Sequence, residues 1–267
     1  MVYIVISENE GFREAADLLL ANLEKSGCRV YLTFIKGIKG GICDIHGSDI
    51  VFFLTNHVTV GPLAKKLLKQ VIRVVNGRYQ SGDRRKSEAQ RLAQAAGVNV
   101  PRFVRIKDLS SHKEAGFRIR PPVYLKNECH VREVQRINSE ESLDATLRHL
   151  ENAAHWYLEE SIEGNVRHKK HYFVNGRSFG REDLNTSLEI DQALNTIAAT
   201  LNLDVFSADF IVSNKGYYCI DINPAPALFG SASVRQSFVD WLYEAAKRKS
   251  SKSFSEMYQA SIQRHGG

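Results

Sequence analysis

Through its first 77 residues the chain alternates short apolar runs with helical stripes, and few folds accept that rhythm. Val2 to Ile6 reads as a buried strand, and Phe12, Ala15, Ala16, Leu19, Leu20 and Leu23 then recur at helical spacing up to a stop at Ser26-Gly27. Arg29 to Ile35 gives a second strand, Ile50 to Leu54 a third, Pro62 to Lys69 a helix and Val71 to Val75 a fourth strand. Such alternation predicts a small, open, mostly parallel sheet in an N-terminal α/β domain over residues 1–80. The apolar runs are far shorter than a membrane span, and Met1 to Ile6 lacks the basic start of a signal peptide, so a cytoplasmic enzyme is expected.

The texture then changes. Ala89, Leu92, Ala93 and Ala96 form the stripe of a helix over Asp83 to Ala96, closed by Gly97, and residues 81–120 are expected to be this connecting helix and a linker. From Pro121 come short strands around one helix: Val123 to Lys126, Val131 to Ile137, a helix over Ser142 to Glu151, and His155 to Glu159. They predict a small α+β unit over residues 121–160. The rest, residues 161–267, reads as one C-terminal unit. It has a hairpin turning at Asn175-Gly176, a helix with Leu194, Ile197, Ala198 and Leu201 on one face, a second hairpin, and a last helix carrying Val234, Phe238, Trp241, Leu242 and Ala245.

The second hairpin carries the most chemistry. Ser207 to Val212 and Tyr217 to Asn223 flank Asn214-Lys215-Gly216, whose glycine suits the left-handed position of a three-residue loop. Pairing centred on Lys215 sets Asp209 opposite Asp221 and Ser207 opposite Asn223, all on one face, because strand side chains alternate with period two. Two directly opposed carboxylates repel unless a cation offsets them. Oxygen ligands this few suit magnesium, which keeps waters and takes further oxygens from phosphates.

Asp209, followed on the next strand by Asp221-Ile222-Asn223-Pro224-Ala225-Pro226, resembles the metal signature of the ATP-grasp superfamily. The resemblance extends over most of the chain. Arg85-Lys86, opening a helix that ends Ala95-Ala96-Gly97-Val98-Asn99-Val100-Pro101, is similar to the segment that carries the family's first nucleotide lysine, and Lys126 to its second phosphate lysine. Leu158-Glu159-Glu160-Ser161-Ile162-Glu163-Gly164 resembles the hinge strand whose backbone reads adenine, with Glu163 at the ribose position, and Lys170 stands where a further basic phosphate contact is found. The resemblance implies an ATP-grasp fold behind the small parallel α/β domain, with ATP and Mg²⁺ as cofactors and Asp209, Asp221 and Asn223 as metal ligands. One departure concerns the glycine-rich loop expected after the second lysine. Asn127-Glu128-Cys129-His130-Val131 has no glycine, and Glu128 would add negative charge near phosphates, leaving cover to His130 and Arg132.

The layout is similar to that of the amino-acid and peptide ligases of this superfamily, which implies activation of a carboxylate as an acylphosphate and its capture by an amine. Arg181 and Asn185 stand where such ligases steady the acyl intermediate. Two other readings remain open: a kinase acting on a hydroxyl of an anionic substrate, to which Arg167-His168-Lys169-Lys170-His171 could contribute, and a nucleotide-binding module without turnover. The formal net charge of +6 favours an anionic small-molecule or peptide substrate. No nucleic-acid module accompanies the basic residues, so neither nucleic acid nor membrane is an expected partner, and a homo-oligomer is left open. The four cysteines show no C-x-x-C spacing.

Overall fold

The computed structural model describes residues 1–6, 10–35, 45, 49–55, 59–82, 85–108, 119–128, 134–180, 187–214, 216–226 and 232–247. The chain divides into two compact units, Met1–Gly77 with Ala227–Gly267, and Arg78–Pro226. The C-terminal helix thus groups with the N-terminal unit, whereas the sequence reading had joined it to residues 161–226.

In the first unit, β1 (Val2–Ile6), β2 (Val30–Phe34), β3 (Ile50–Leu54) and β4 (Arg73–Val74) form a parallel sheet in the order β2-β1-β3-β4. The central β3 is apolar throughout and buried at every residue, as a strand covered on both faces must be. Helix α1 (Glu10–Lys25) buries Ala15, Ala16, Leu19 and Leu23, and α2 (Val60–Lys69) packs Val60, Ala64 and Leu67 with Val5, Val51 and Phe53. The fourth strand is shorter than Val71 to Val75. Val71 takes a left-handed φ of +62° as its amide and that of Ile72 close the end of α2 on Leu68 and Leu67, so the chain is extended only from Arg73. The last helix, Ala232–Lys247, sets Phe238 against Phe52 with ring centroids 4.9 Å apart.

Helix α3 (Gly77–Ser81) starts on the last residue of the first unit and runs into the second, where α4 (Lys86–Ala95) follows. Two antiparallel sheets follow. One has the order β5-β8-β6-β7, from β5 (Phe103–Arg105), β6 (Val123–Asn127), β7 (Val134–Ile137) and β8 (Trp156–Glu160), with α5 (Glu140–His149) between β7 and β8. The other has the order β10-β9-β11-β12, from β9 (Arg167–Val174), β10 (Arg177–Gly180), β11 (Val205–Ser213) and β12 (Gly216–Asn223), with α6 (Leu188–Leu201) between β10 and β11; the C-terminal helix is α7. Asn175 and Gly176, both at positive φ, make the turn between β9 and β10. Helices α4 and α6 cover one face of the second sheet, packing Ala89, Ala93, Leu194 and Ile197 against Phe173, Phe206, Phe210 and Ile222. The three-residue β5 is too short to announce itself by alternation. Among the described residues no helix is long and apolar enough to cross a membrane.

Candidate active site

The β11–β12 hairpin sets the site, and its register changes along its length. Near the loop Ser213 pairs with Gly216, Val212 with Tyr217, Ile211 with Tyr218 and Phe210 with Cys219. Ile220 is then left out of the ladder as a bulge, after which Asp209 pairs with Asp221, Ala208 with Ile222 and Ser207 with Asn223. The pairing of the acids expected from sequence is present. The constant register is not, because the hairpin closes one residue tighter at Gly216, at φ +112°, and the bulge restores the offset. Lys215 lies outside the described residues. Ala208, Phe210, Cys219 and Ile222 belong to the core beneath the sheet, so Asp209, Asp221 and Asn223 share the opposite face.

Each acid already has a cationic partner. Lys170 stands beside Asp209 in the β9–β11 pairing and its Nζ lies 3.1 Å from Oδ2, while Lys86 at the start of α4 places its Nζ 3.0 Å from Asp221 Oδ1. The repulsion between opposed carboxylates is offset here by two ammonium groups, where the sequence argument had required a separate cation. The Asn223 Oδ1 accepts from the Ala225 amide at 3.0 Å.

A third pair lies deeper. Lys126 on β6 donates to Glu159 Oε1 on β8 and to the Ile220 carbonyl at 2.8 Å, and the Gln90 amide from α4 donates to the other Glu159 oxygen. Lys126 and Glu159 are 8% and 1% exposed, so the two charges are buried together. Burial pushes the Glu159 carboxyl above its ordinary range, against the pull of the Lys126 charge and the hydrogen bonds from Lys126 and Gln90. Sequence reasoning assigned Glu159 to the hinge and missed Gln90, one helical turn after Lys86 on the same face, where a polar residue beside an apolar stripe was the available signal.

Glu128 behaves otherwise than expected. Its carboxylate is buried and accepts from the Ser87 amide at 2.9 Å and from the Ser87 hydroxyl, at the N-terminus of α4, where Arg85 supplies no side-chain cap. The negative charge answers the positive end of a helix and the orphan amides there. Cys129, His130, Val131 and Arg132 lie outside the described residues, as do Arg181 and Asn185.

At the end of β8, the Glu160 carboxylate holds Arg102 by two hydrogen bonds of 2.9 and 2.8 Å, which keep its pKa below the ordinary carboxylate value. The Glu160 amide donates to the Arg102 carbonyl and the Ser161 amide to the Pro122 carbonyl. Ile162 follows, half-buried, and Glu163 is exposed with its Oε1 3.5 Å from Arg136 Nη2.

Among the described residues no group of three or more His, Cys, Asp or Glu side chains gathers as a metal cage. Two opposed carboxylates and one amide oxygen on a strand face fit an ion that takes few protein ligands and completes its shell with phosphate oxygens and water. They do not fit a closed structural zinc site.

No protein-family model matches the sequence, and no curated protein is similar enough to count as a match. Solved structures do match. D-alanine–D-alanine ligase from Bacillus anthracis complexed with ATP superposes with a TM-score of 0.72 over 93% of this chain and 97% of its own, at 15% identity. A RimK domain ATP-grasp protein from Sphaerobacter thermophilus gives 0.67 over 91% and 99%, at 14% identity. The macrocyclase MdnC from Microcystis aeruginosa, bound with precursor peptide MdnA, gives 0.67 over 91% and 100%, at 12% identity. At these identities the likeness is one of fold: the chain has the ATP-grasp fold.

Proposed function

We propose that this protein is a magnesium-dependent ligase that uses ATP to activate a carboxylate as an acylphosphate and joins it to an amine of an amino-acid or peptide type substrate. The observation that carries the reading is the meeting of Lys170, Asp209 and Asp221 on one sheet face with Lys86 from α4, and with Lys126 in another sheet, in an ATP-grasp fold. Lys86, Lys126 and Lys170 would hold phosphate oxygens and neutralise the charge that spreads over the transferring group. Asp209, Asp221 and Asn223 would hold magnesium. When bound, that ion draws the phosphates together and offsets their charge. Since the Glu160 and Ser161 amides are engaged by the protein, adenine would be read by other backbone groups of residues 160–163, with Glu163 near the ribose.

In the first step a carboxylate oxygen bonds to the γ-phosphorus and the bond to the ADP oxygen breaks. In the second an amine bonds to the acyl carbon, phosphate leaves with the former carboxylate oxygen, and the amine gives up its proton. Arg181, with Asn185, is the candidate to steady the acyl intermediate.

Incubation with ATP, magnesium and pools of amines and ¹⁸O-labelled carboxylates tests this. Label passing into released phosphate, dependent on both an acid and an amine, is expected. ADP formation with a phosphorylated hydroxyl product would instead mean a kinase, and ATP binding without ADP in any pool would mean a module without turnover.

A further inference from the structure

The bulge at Ile220 decides which face Asp221 occupies. Were the tighter register near Gly216 to continue, Ile220 would stand opposite Asp209 and Asp221 opposite Ala208, turned to the core face, because a one-residue slip inverts every side chain. Two observations show what holds the extra residue. Cys219 turns its amide away from β11, to the Asn99 carbonyl at 2.8 Å, so in an unbroken strand the Ile220 carbonyl would turn back toward β11. It points outward instead, accepting from Lys126 Nζ at 2.8 Å and lying 3.5 Å from Gln90 Nε2. Both donors are themselves fixed by Glu159, on a different sheet.

We propose that Gln90 and Lys126 are positioning residues that hold the Ile220 bulge and thereby set Asp221 and Asn223 on the same face as Asp209. Gln90 acts without touching substrate. It shares α4 with Lys86, so one helix supplies both a side chain to Asp221 and a donor to the bulge that orients Asp221. A carbonyl turned out of its ladder needs a donor, and the Gln90–Glu159–Lys126 set provides it from outside the hairpin.

Register can be read without any ligand. Cysteine pairs at directly opposed strand positions oxidise readily, because their Cβ atoms are close. In the parent register, Ser207→Cys with Asn223→Cys should crosslink, and Ser207→Cys with Ile222→Cys should not. Adding Gln90→Leu together with the charge-neutral pair Lys126→Met and Glu159→Gln should shift the crosslink from position 223 to position 222. Gln90→Lys, which retains a donor, should leave it at 223. An unchanged 207–223 crosslink in the triple variant would overturn the proposal, since the bulge would then be intrinsic to the hairpin. The role in the proposed site is read separately by calorimetry of ATP with Gln90→Leu alone. Affinity in EDTA should stay within about twofold of the parent, while the magnesium concentration giving half of the affinity gain should rise about tenfold, with Gln90→Lys restoring it. An equal loss in both conditions would mark Gln90 as merely structural. Absence of ATP binding by the parent would sink the ligase reading and leave the crosslink result to decide the positioning role.

Discussion

Asp221→Asn should move ATP affinity in opposite directions depending on whether magnesium is present. Asp221 is held by Lys86 at 3.0 Å, and opposite it stands Asp209, held by Lys170 at 3.1 Å. On the proposed reading, metal-free ATP would recruit both lysines and leave the two carboxylates facing one another and the phosphates. At the roughly 5 Å separation of opposed strand side chains and a near-aqueous dielectric, such a repulsion is about 1 kcal/mol. The part-exposed ion pair that must be broken adds roughly 0.2–1 kcal/mol. Asparagine removes both, so affinity in EDTA should rise about five- to thirtyfold. With millimolar magnesium the sign reverses. Loss of groups that merely support a metal ligand costs about 10–100-fold in metal affinity, so loss of a carboxylate ligand should weaken ATP binding by at least about tenfold. Calorimetric titration of parent and variant with ATP in EDTA and in magnesium reads both arms. Melting without nucleotide should move by no more than about 4 °C, because the lost pair is weak and a repulsion goes with it. An affinity that falls equally in both conditions would refute the reasoning and make Asp221 a structural prop of the pocket.

Lys86→Ala and Lys126→Ala should both weaken ATP binding by at least about tenfold, yet differ in stability. Lys126→Ala strands the buried Glu159 and should cost about 3–5 kcal/mol in denaturant unfolding, whereas Lys86→Ala breaks a part-exposed pair and should cost under about 1 kcal/mol. Arg181→Ala should lower turnover while leaving the ATP dissociation constant near that of the parent, as steady-state kinetics beside calorimetry will read. His171 is 4% exposed, and neither ring nitrogen has a hydrogen-bond partner among the described residues; burial pushes its pKa down, with Lys169 adding to the shift and Asp209 opposing it. The unfolded chain therefore takes up this proton first, so the contribution of His171 to stability is whole above about pH 6.5 and is lost as pH falls below it. His171→Phe should flatten that acid side of a melting-temperature profile; a profile that keeps the parent's slope would show that another group titrates there.

What could be read from spacing was whatever has its partner on the same element or hairpin. The opposition of Asp209 and Asp221 was legible from pairing centred on Lys215, because the tighter closure at Gly216 and the extra residue at Ile220 cancel by the time the strands reach the acids. The route to it was not. Nothing in Cys219-Ile220-Asp221 announces a bulge, since the groups that hold it, Lys126 and Gln90, lie 94 and 130 residues away along the chain. For the same reason three lysines and three acids were each visible while their pairing was not: Lys86 finds Asp221 only once α4 is laid beside β12. Glu128 shows the converse error. Read from its neighbour Lys126, its charge belonged with phosphates; read from Ser87, 41 residues earlier in the first turn of α4, it is the cap that Arg85 does not provide. A carboxylate in that place also fixes the chain that carries it. The strand end after Lys126 is tied to α4 through Ser87 and to the His155 carbonyl through the Glu128 amide, so its backbone is committed to holding the helix that carries Lys86. Lys126 and Lys86 are therefore braced against each other through Glu128, which follows the strand carrying the one and caps the helix that opens with the other.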